Sequence, residues 1–362
     1  MKIKTITCHD VYNLGASLQA HALAAYLSDC GHEVQIIDYK PDYLSRHYSL
    51  TWVANPRFDR PFVRQAYLLA KLPRRLKARK SLRKQRFDAF RRDYLPLTER
   101  RYRSAGELRQ NCPEADLYIA GSDQIWNPVF PNGKDPAFFL EFVPEGKKKI
   151  SYGASFSVDV LSEEDSGRML PWLRRLDAIS VRESSGVKLL NSMGLQSVPV
   201  MDPVFLTERE HWESLANRPD SSGYILVYDF DGSERVREIA RTLSERTGKK
   251  IVSVFPMEGA SEIWADMGPG EFLGAILNAD CVLSNSFHAT AFSLIFQKDF
   301  YVVNREEKIN TRMRDLLASL SLEQRLISVL PESADDLDWQ SIQTQLRCLI
   351  RDSKGFLQKN LM

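Results

Sequence analysis

Residues 2–39, KIKTITCHDVYNLGASLQAHALAAYLSDCGHEVQIIDY, read as a complete β-α-β unit. KIKTIT has the β-branched content of a strand, and CHDVYNLGA is a polar connection. A helix is expected from about Ser17 to Cys30, with Leu18, Ala22 and Ala25 and again Leu23, Tyr26 and Leu27 at helical spacing. Ser17 is its expected cap, and EVQIIDY returns as a second strand. Two parallel strands joined by a crossing helix define an α/β sheet, in which ligands bind beyond the carboxyl ends of the strands.

The theme recurs along the chain. DLYIAG, KKISYGASF, DAISVRE and QSVPVMD are short apolar segments bounded by Gly, Asp or Ser, with a helix through Ser185 to Met193 between the last two. A second series follows Asp202-Pro203. GYILVYDF, KKIVSVFP, CVLSN and FYVVN read as strands, and SERVREIARTLSERTG, PGEFLGAILNAD, FHATAFSLIF and INTRMRDLLASL as helices. A 362-residue chain with 43% hydrophobic content fits two such units in tandem. The expected division is 1–203, 204–330 and a helical tail over 331–362.

Composition excludes several classes. The net charge of +2 on 27% charged residues marks no general nucleic-acid or membrane partner. Cys8, Cys30, Cys112, Cys281 and Cys348 are scattered, without a C-x-x-C or a His at metal-ligand spacing, which points to a reducing cytoplasm and no metal. MKIKTIT lacks the apolar core of a signal peptide, and no run approaches the roughly eighteen apolar residues that span a bilayer. Charge is instead local. Residues 57–93 hold fourteen Lys or Arg against three Asp, inside an expected insertion of about 57–103, so the rest of the chain is net acidic. Phe58, Phe62, Tyr67, Leu68, Leu69, Leu72 and Leu76 interleave with the cations. That pattern fits an amphipathic helix on anionic lipid or on a phosphate-bearing substrate, and equally a solvated helical hairpin. No nucleic-acid reading motif accompanies it.

Candidate chemistry lies at the strand ends. The first loop has only Gly15 where a dinucleotide site needs G-x-G-x-x-G, which disfavours NAD even though Asp38 ends the second strand. Asn13 and Gly15 still precede a helix N-terminus that offers backbone N–H groups. In IAGSDQIWNP, residues 119–128, Gly121 lets the chain turn closely and Ser122, Asp123, Gln124 and Asn127 carry hydrogen-bonding groups suited to sugar hydroxyls, or to capping the turn itself. Arg182 stands just past a strand, ready for an anionic ligand or for an ion pair with Glu183 or another acid. His288 follows Ser284, Asn285 and Ser286 at a strand-to-helix junction, as a general acid or as a satisfied core histidine.

Together these motifs resemble the polysaccharide pyruvyl transferase family. The resemblance runs in order through HDVYNLGASLQAHAL (9–23), AGSDQIWNP, ISYGASF, SVRESSG, DPVFL (202–206), PGEFLGAILNADCVLSNSFHATAFSLIF and NTRMRDLL (310–317). It implies a GT-B-like fold, two Rossmann-like domains facing a central cleft, with the C-terminal helix crossing back onto the first. It implies transfer of the enolpyruvyl carbons of phosphoenolpyruvate to a hydroxyl pair of a glycan acceptor, releasing phosphate, without a metal or other cofactor, in bacterial surface polysaccharide synthesis. By the same resemblance Arg182 matches the donor-binding Arg and His288 the cleft His. Some members carry an Arg where this chain has Ser286, so Arg312, rather than Arg314, is the candidate for the missing charge. His288 is then the expected acid and Asp123 the base, with Asn13, Gln124 and their neighbours around the sugar. The acceptor would be polyprenyl-diphosphate-linked, and residues 57–93 would hold the enzyme at the inner membrane face. Two other functions share this fold: a nucleotide-sugar glycosyltransferase and a non-catalytic assembly protein.

Overall fold

The computed structural model describes residues 1–44, 48–53, 55–304, 311–332 and 336–361. Its first sheet contains β1 (Lys2–Ile6), β2 (Glu33–Tyr39), β3 (Leu97–Tyr102), β4 (Leu117–Ala120) and β5 (Lys148–Ser151), all parallel, in the order β3-β2-β1-β4-β5. Bridges from Ile150 to Ala178 and from Ala154 to Val181 pass the sheet on to a short pair, β6 (Ser180–Val181) and β7 (Val198–Pro199). The second sheet, also parallel, contains β8 (Tyr224–Tyr228), β9 (Ile251–Ser253), β10 (Glu262–Ile263), β11 (Ala279–Ser284), β12 (Asp299–Val303) and β13 (Leu326–Ile327) in the order β10-β9-β8-β11-β12-β13. Each sheet starts at its centre and reverses direction of growth once, between β1 and β4 and between β8 and β11. In such sheets the crevice at the reversal is where ligands bind.

The helices are α1 (Leu14–Asp29), α2 (Val63–Arg79), α3 (Leu82–Tyr94), α4 (Ala105–Gln110), α5 (Glu163–Leu173), α6 (Ser184–Ser192), α7 (Arg209–Leu215), α8 (Glu234–Thr247), α9 (Pro269–Asn278), α10 (Phe287–Phe296), α11 (Thr311–Ser319) and α12 (Trp339–Asn360). None among the described residues is long and apolar enough to cross a membrane. Ile309 and Asn310, expected at the start of α11, lie outside the described residues, as do 333–335 and Met362 of the tail.

α1 begins three residues before the expected Ser17. Asn13 caps it instead, its Oδ1 accepting from the Ala16 amide at 3.1 Å, and Ser17 lies buried within the helix. From Leu14 to Leu27 only Ala25 is not buried, because α1 lies between β2 on one side and α9 and α10 on the other. One apolar core therefore runs from Ile3, Leu18 and Leu23 through Trp212 to Phe272, Phe292 and Tyr228, joining both sheets. Residues of α12 touch both units: Ser353 Oγ accepts from the Met201 amide at 2.8 Å, and Gln343 Nε2 donates to the Leu294 carbonyl at 3.0 Å.

The expected insertion ends sooner than residue 103. Its last part is β3, an edge strand whose polar sequence LTERRY buries only Thr98 and Tyr102. α2 buries none of its residues, whereas α3 buries Phe87 and Phe90 and reaches the second sheet's unit through Arg86 to Glu271 (3.0 Å) and Arg83 Nη1 to the Met267 carbonyl (3.1 Å).

The two units also meet at paired histidines. His21 of α1 donates from Nδ1 to the Tyr94 carbonyl at 2.9 Å, so its Nε2 accepts from His211 Nε2 of α7 at 2.8 Å. Burial pushes His21 down to about 4 and lowers His211 as well. The folded state then binds fewer protons than the unfolded chain between about pH 6.5 and 4, so this contribution is complete above the upper value and is lost as pH falls toward the lower one. We expect stability in urea to drop by as much as about 3 kcal/mol over that window relative to His21→Gln. Parallel curves for the two proteins would show that the pair does not titrate with folding.

Candidate active site

The loops after β1, β4 and β5, the end of β6, the segment after β7 and the N-terminus of α10 converge on one buried charge cluster. Arg182 follows β6 and is held by Asp202, Nη1 to Oδ2, in the loop after β7. Its Nη2 lies 3.4 Å from Asp123 Oδ1, and its guanidinium stacks 4.4 Å from the Phe287 ring centroid. The Arg182 side chain is 1% exposed and that of Asp202 0%.

Asp202 has four partners. Its Oδ2 also accepts from Ser122 Oγ at 3.2 Å and faces His288 Nε2 at 3.6 Å, an ion-pair distance too long for a hydrogen bond, while Oδ1 accepts from the Val204 amide at 3.1 Å. Burial alone would push this carboxyl up. The charges of Arg182 and His288 and the hydrogen bonds outweigh it and hold Asp202 well below the usual carboxylate range. Burial likewise opposes the charge on Arg182, but Asp202 and Asp123 raise it above the ordinary arginine value.

Arg312, from α11, approaches from the other side. Its Nη1 lies 3.6 Å from Asp123 Oδ1, and with the Gln124 amide turned so that its carbonyl faces the guanidinium, that oxygen accepts from both terminal nitrogens of Arg312. Burial, then the like charge of Arg182, lowers Arg312 to about 10. Asp123 thus sits between two guanidiniums. Its backbone is left-handed, φ 76°, and its carbonyl locks that conformation by accepting from the amides of Ile125 (2.8 Å) and Ser155 (3.0 Å).

His288 is the second residue of α10, and its ring lies on the first turn of α1. A Cβ on Gly15 would stand 1.9 Å from His288 Nδ1, so only glycine admits the imidazole there. Behind Arg182, the buried Glu183 accepts through Oε1 from Ser155 Oγ and from the amides of Phe156 and Ser157, at 2.8 to 3.1 Å. Burial raises its carboxyl, and the contacts fix the loop after β5.

The structure therefore brings together His288, Arg182, Asp123, Gln124 and Arg312, with Gly15 beneath the imidazole and Asn13 beside it as the α1 cap. The other expected residues have their polar groups occupied within the protein. Ser122 donates to Asp202 and also lies 2.9 Å from the Gly153 carbonyl, the fully buried Asn127 accepts through Oδ1 from the Val129 amide at 3.0 Å, and Ser286 caps α10. Arg314 turns to Asp159, 2.8 Å away. Asp38, at the position of a ribose-binding acid, pairs with His9 and Arg101. Asp202, Glu183 and Phe287 were not singled out as site residues, although DPVFL and SVRE frame two of them. Among the described residues no three His, Cys, Asp or Glu side chains converge as metal ligands.

A family model described as polysaccharide pyruvyl transferase matches residues 13–307, and the chain belongs to that family. No curated protein is significantly similar to it in sequence. Among solved structures it is similar to the S. aureus MnaA-UDP co-structure (11% identity, TM-score 0.51, covering 98% of this chain and 89% of that one). A UDP-GlcNAc 2-epimerase from Neisseria meningitidis bound to UDP-GlcNAc (11%, 0.48, 100% and 99%) and the E. coli heptosyltransferase WaaC with ADP-2-deoxy-2-fluoro heptose (13%, 0.39, 85% and 90%) are also similar. The first of these likenesses supports the fold, which is GT-B-like, with two Rossmann-like sheets.

Removing one member of the buried pair leaves an uncompensated charge. Asp202→Ala is expected to cost about 3–5 kcal/mol in urea unfolding, whereas the double change Arg182→Met, Asp202→Leu should recover most of it. Equal losses in both proteins would mean that packing, not charge, holds this segment.

Proposed function

We propose that this member of the polysaccharide pyruvyl transferase family transfers the enolpyruvyl group of phosphoenolpyruvate to two hydroxyls of a surface-polysaccharide sugar, forming a cyclic pyruvate ketal. The observation that carries the reading is a set of buried nitrogens without hydrogen-bond partners among the described residues, all in one cluster: Arg182 Nε, Arg312 Nε and His288 Nε2. Buried polar atoms of native proteins are overwhelmingly satisfied, so two guanidinium nitrogens and an imidazole nitrogen left unpartnered together point to an anionic ligand. A carboxylate and a phosphate on one small molecule suit two guanidiniums that already share a single carboxylate, Asp123.

The chemistry follows from these positions. Protonation of the donor methylene makes a methyl group and leaves a cationic C2. His288 is the proton donor, with its Nε2 3.6 Å from Asp202. One sugar hydroxyl adds to C2 and gives its proton to Asp123. The C2–O bond to phosphate breaks, the second hydroxyl adds, and its proton leaves with the phosphate. Arg182 and Arg312 stabilise the charge that gathers on the departing group. Gln124 orients the hydroxyl pair.

Calorimetry with phosphoenolpyruvate and a panel of nucleotide sugars tests the donor. Phosphoenolpyruvate binding that disappears in Arg312→Ala is expected, together with a turnover loss of about 10²–10⁴ in His288→Asn. Binding of a nucleotide sugar instead would move the protein to the glycosyltransferases. Full activity of His288→Asn with an unchanged pH profile would remove the acid role.

The same proposal places the enzyme peripherally on the cytoplasmic membrane face through α2. The helix is basic and has no fully buried residue, with Phe62 85% and Leu69 68% exposed at its start and along its side. Leu69 and Leu76 stand seven residues apart, on one face. Co-sedimentation with phosphatidylglycerol vesicles is expected, weakening with salt and lost in Leu69→Asp, Leu76→Asp. Equal sedimentation with neutral vesicles, or none with anionic ones, would refute the placement.

A further inference from the structure

A cavity of about 610 Å³ opens beyond the carboxyl ends of β1, β2 and β3 under the basic helices. Six Lys and Arg side chains line it against one acid, Asp42. Three of these cations are paired with acids that do not line the cavity. Lys40 Nζ lies 2.6 Å from Asp10, Arg101 bonds Asp38 at 2.8 Å and approaches Asp10 at 3.4 Å, and Lys84 pairs with Asp88. Arg79, at the end of α2, has no ion pair or side-chain hydrogen bond among the described residues. Two tyrosines complete the wall: Tyr12 and Tyr48 meet edge to face at 4.5 Å, with Lys84 Nζ 5.6 and 5.7 Å from their ring centroids.

We infer that this cavity binds the diphosphate of a glycosyl-diphosphate acceptor. Preorganised cations take the phosphates, the aromatic wall takes an apolar or sugar face, and the volume suits a ligand of that size. The placement follows from one short loop. Asp10 and Tyr12 serve the cavity, whereas Asn13 and Gly15 serve the charge cluster, and Tyr12 between them adopts a left-handed backbone, φ 52°. A ligand with its diphosphate in the cavity extends its sugar along this loop toward Asp123 and Gln124. Its assignment as acceptor rests on the pyruvyl-transfer reading; its binding of diphosphate does not.

The test titrates inorganic pyrophosphate, farnesyl diphosphate and UDP-glucose into wild type, Arg79→Glu and Tyr48→Ala. Arg79 is exposed and Tyr48 half-buried, so each change leaves the core intact. Pyrophosphate is expected to bind with a Kd on the order of 0.1 mM, about tenfold weaker in Arg79→Glu and weaker again at high salt. Tighter binding of farnesyl diphosphate identifies a lipid-linked acceptor, and tighter binding of UDP-glucose a nucleotide-linked one; loss of that extra affinity in Tyr48→Ala supports the wall in either case. Arg312→Ala should retain pyrophosphate binding, which separates this cavity from the donor site even if phosphoenolpyruvate fails to bind. No pyrophosphate binding, or binding indifferent to Arg79→Glu, overturns the proposal.

Discussion

The Arg182–Asp202 pair is the constraint on which the site depends. A fully buried ion pair contributes little net stability, because desolvation of both charges offsets their attraction. Its effect here is positional. Through Asp202 the pair connects the loop after β4 at Ser122, the segment leading to the second unit at Val204 and the second sheet's own helix at His288. Three parts of the chain that are remote in sequence are thereby held to a single carboxylate.

The shared core makes that convergence possible. α1 is buried on nearly every side, so its N-terminal turn lies against α10 rather than facing open solvent. Gly15 is the local expression of this packing, since its missing side chain is the space the His288 ring fills. Closeness of the two sheets and placement of the imidazole are therefore one fact.

Much of this architecture was legible in the sequence, for physical reasons that also explain the gaps. β4, β8 and β11 are central strands buried on both faces, and they read as apolar runs, whereas β1 is recognised by its β-branched Ile and Thr between lysines. β3 is an edge strand in a polar, basic stretch, and its period is hidden among Arg and Glu. The cap of α1 was misplaced because both Asn13 and Ser17 are capping residues, and only tertiary packing makes the earlier turn helical. In the site, His288, Arg182 and Asp123 were visible as polar residues at strand ends. Asp202 was not, because its partners lie 20 and 80 residues away and no local spacing announces them. Ser122 and Asn127 have the same chemistry as ligand-binding residues, yet burial directs it inward.

The cluster is close to self-neutral. Arg182 and Arg312 face Asp123, Asp202 and Glu183; Arg182, Asp202 and Glu183 are deeply buried, while Arg312 and Asp123 each keep some exposure. On the proposed reading, a phosphoenolpyruvate molecule can enter only by replacing a carboxylate, and Asp123 is the one whose contacts are long, at 3.4 and 3.6 Å, and whose side chain retains 17% exposure. The donor's carboxylate and phosphate then take the guanidiniums that Asp123 gives up, which avoids the cost of leaving them unpaired in a buried site. The exchange also frees Asp123 of its cations at the moment the sugar hydroxyls arrive. On that reading donor binding clears the Asp123 oxygen that would take the hydroxyl proton, and the order of addition follows from the geometry of a single aspartate.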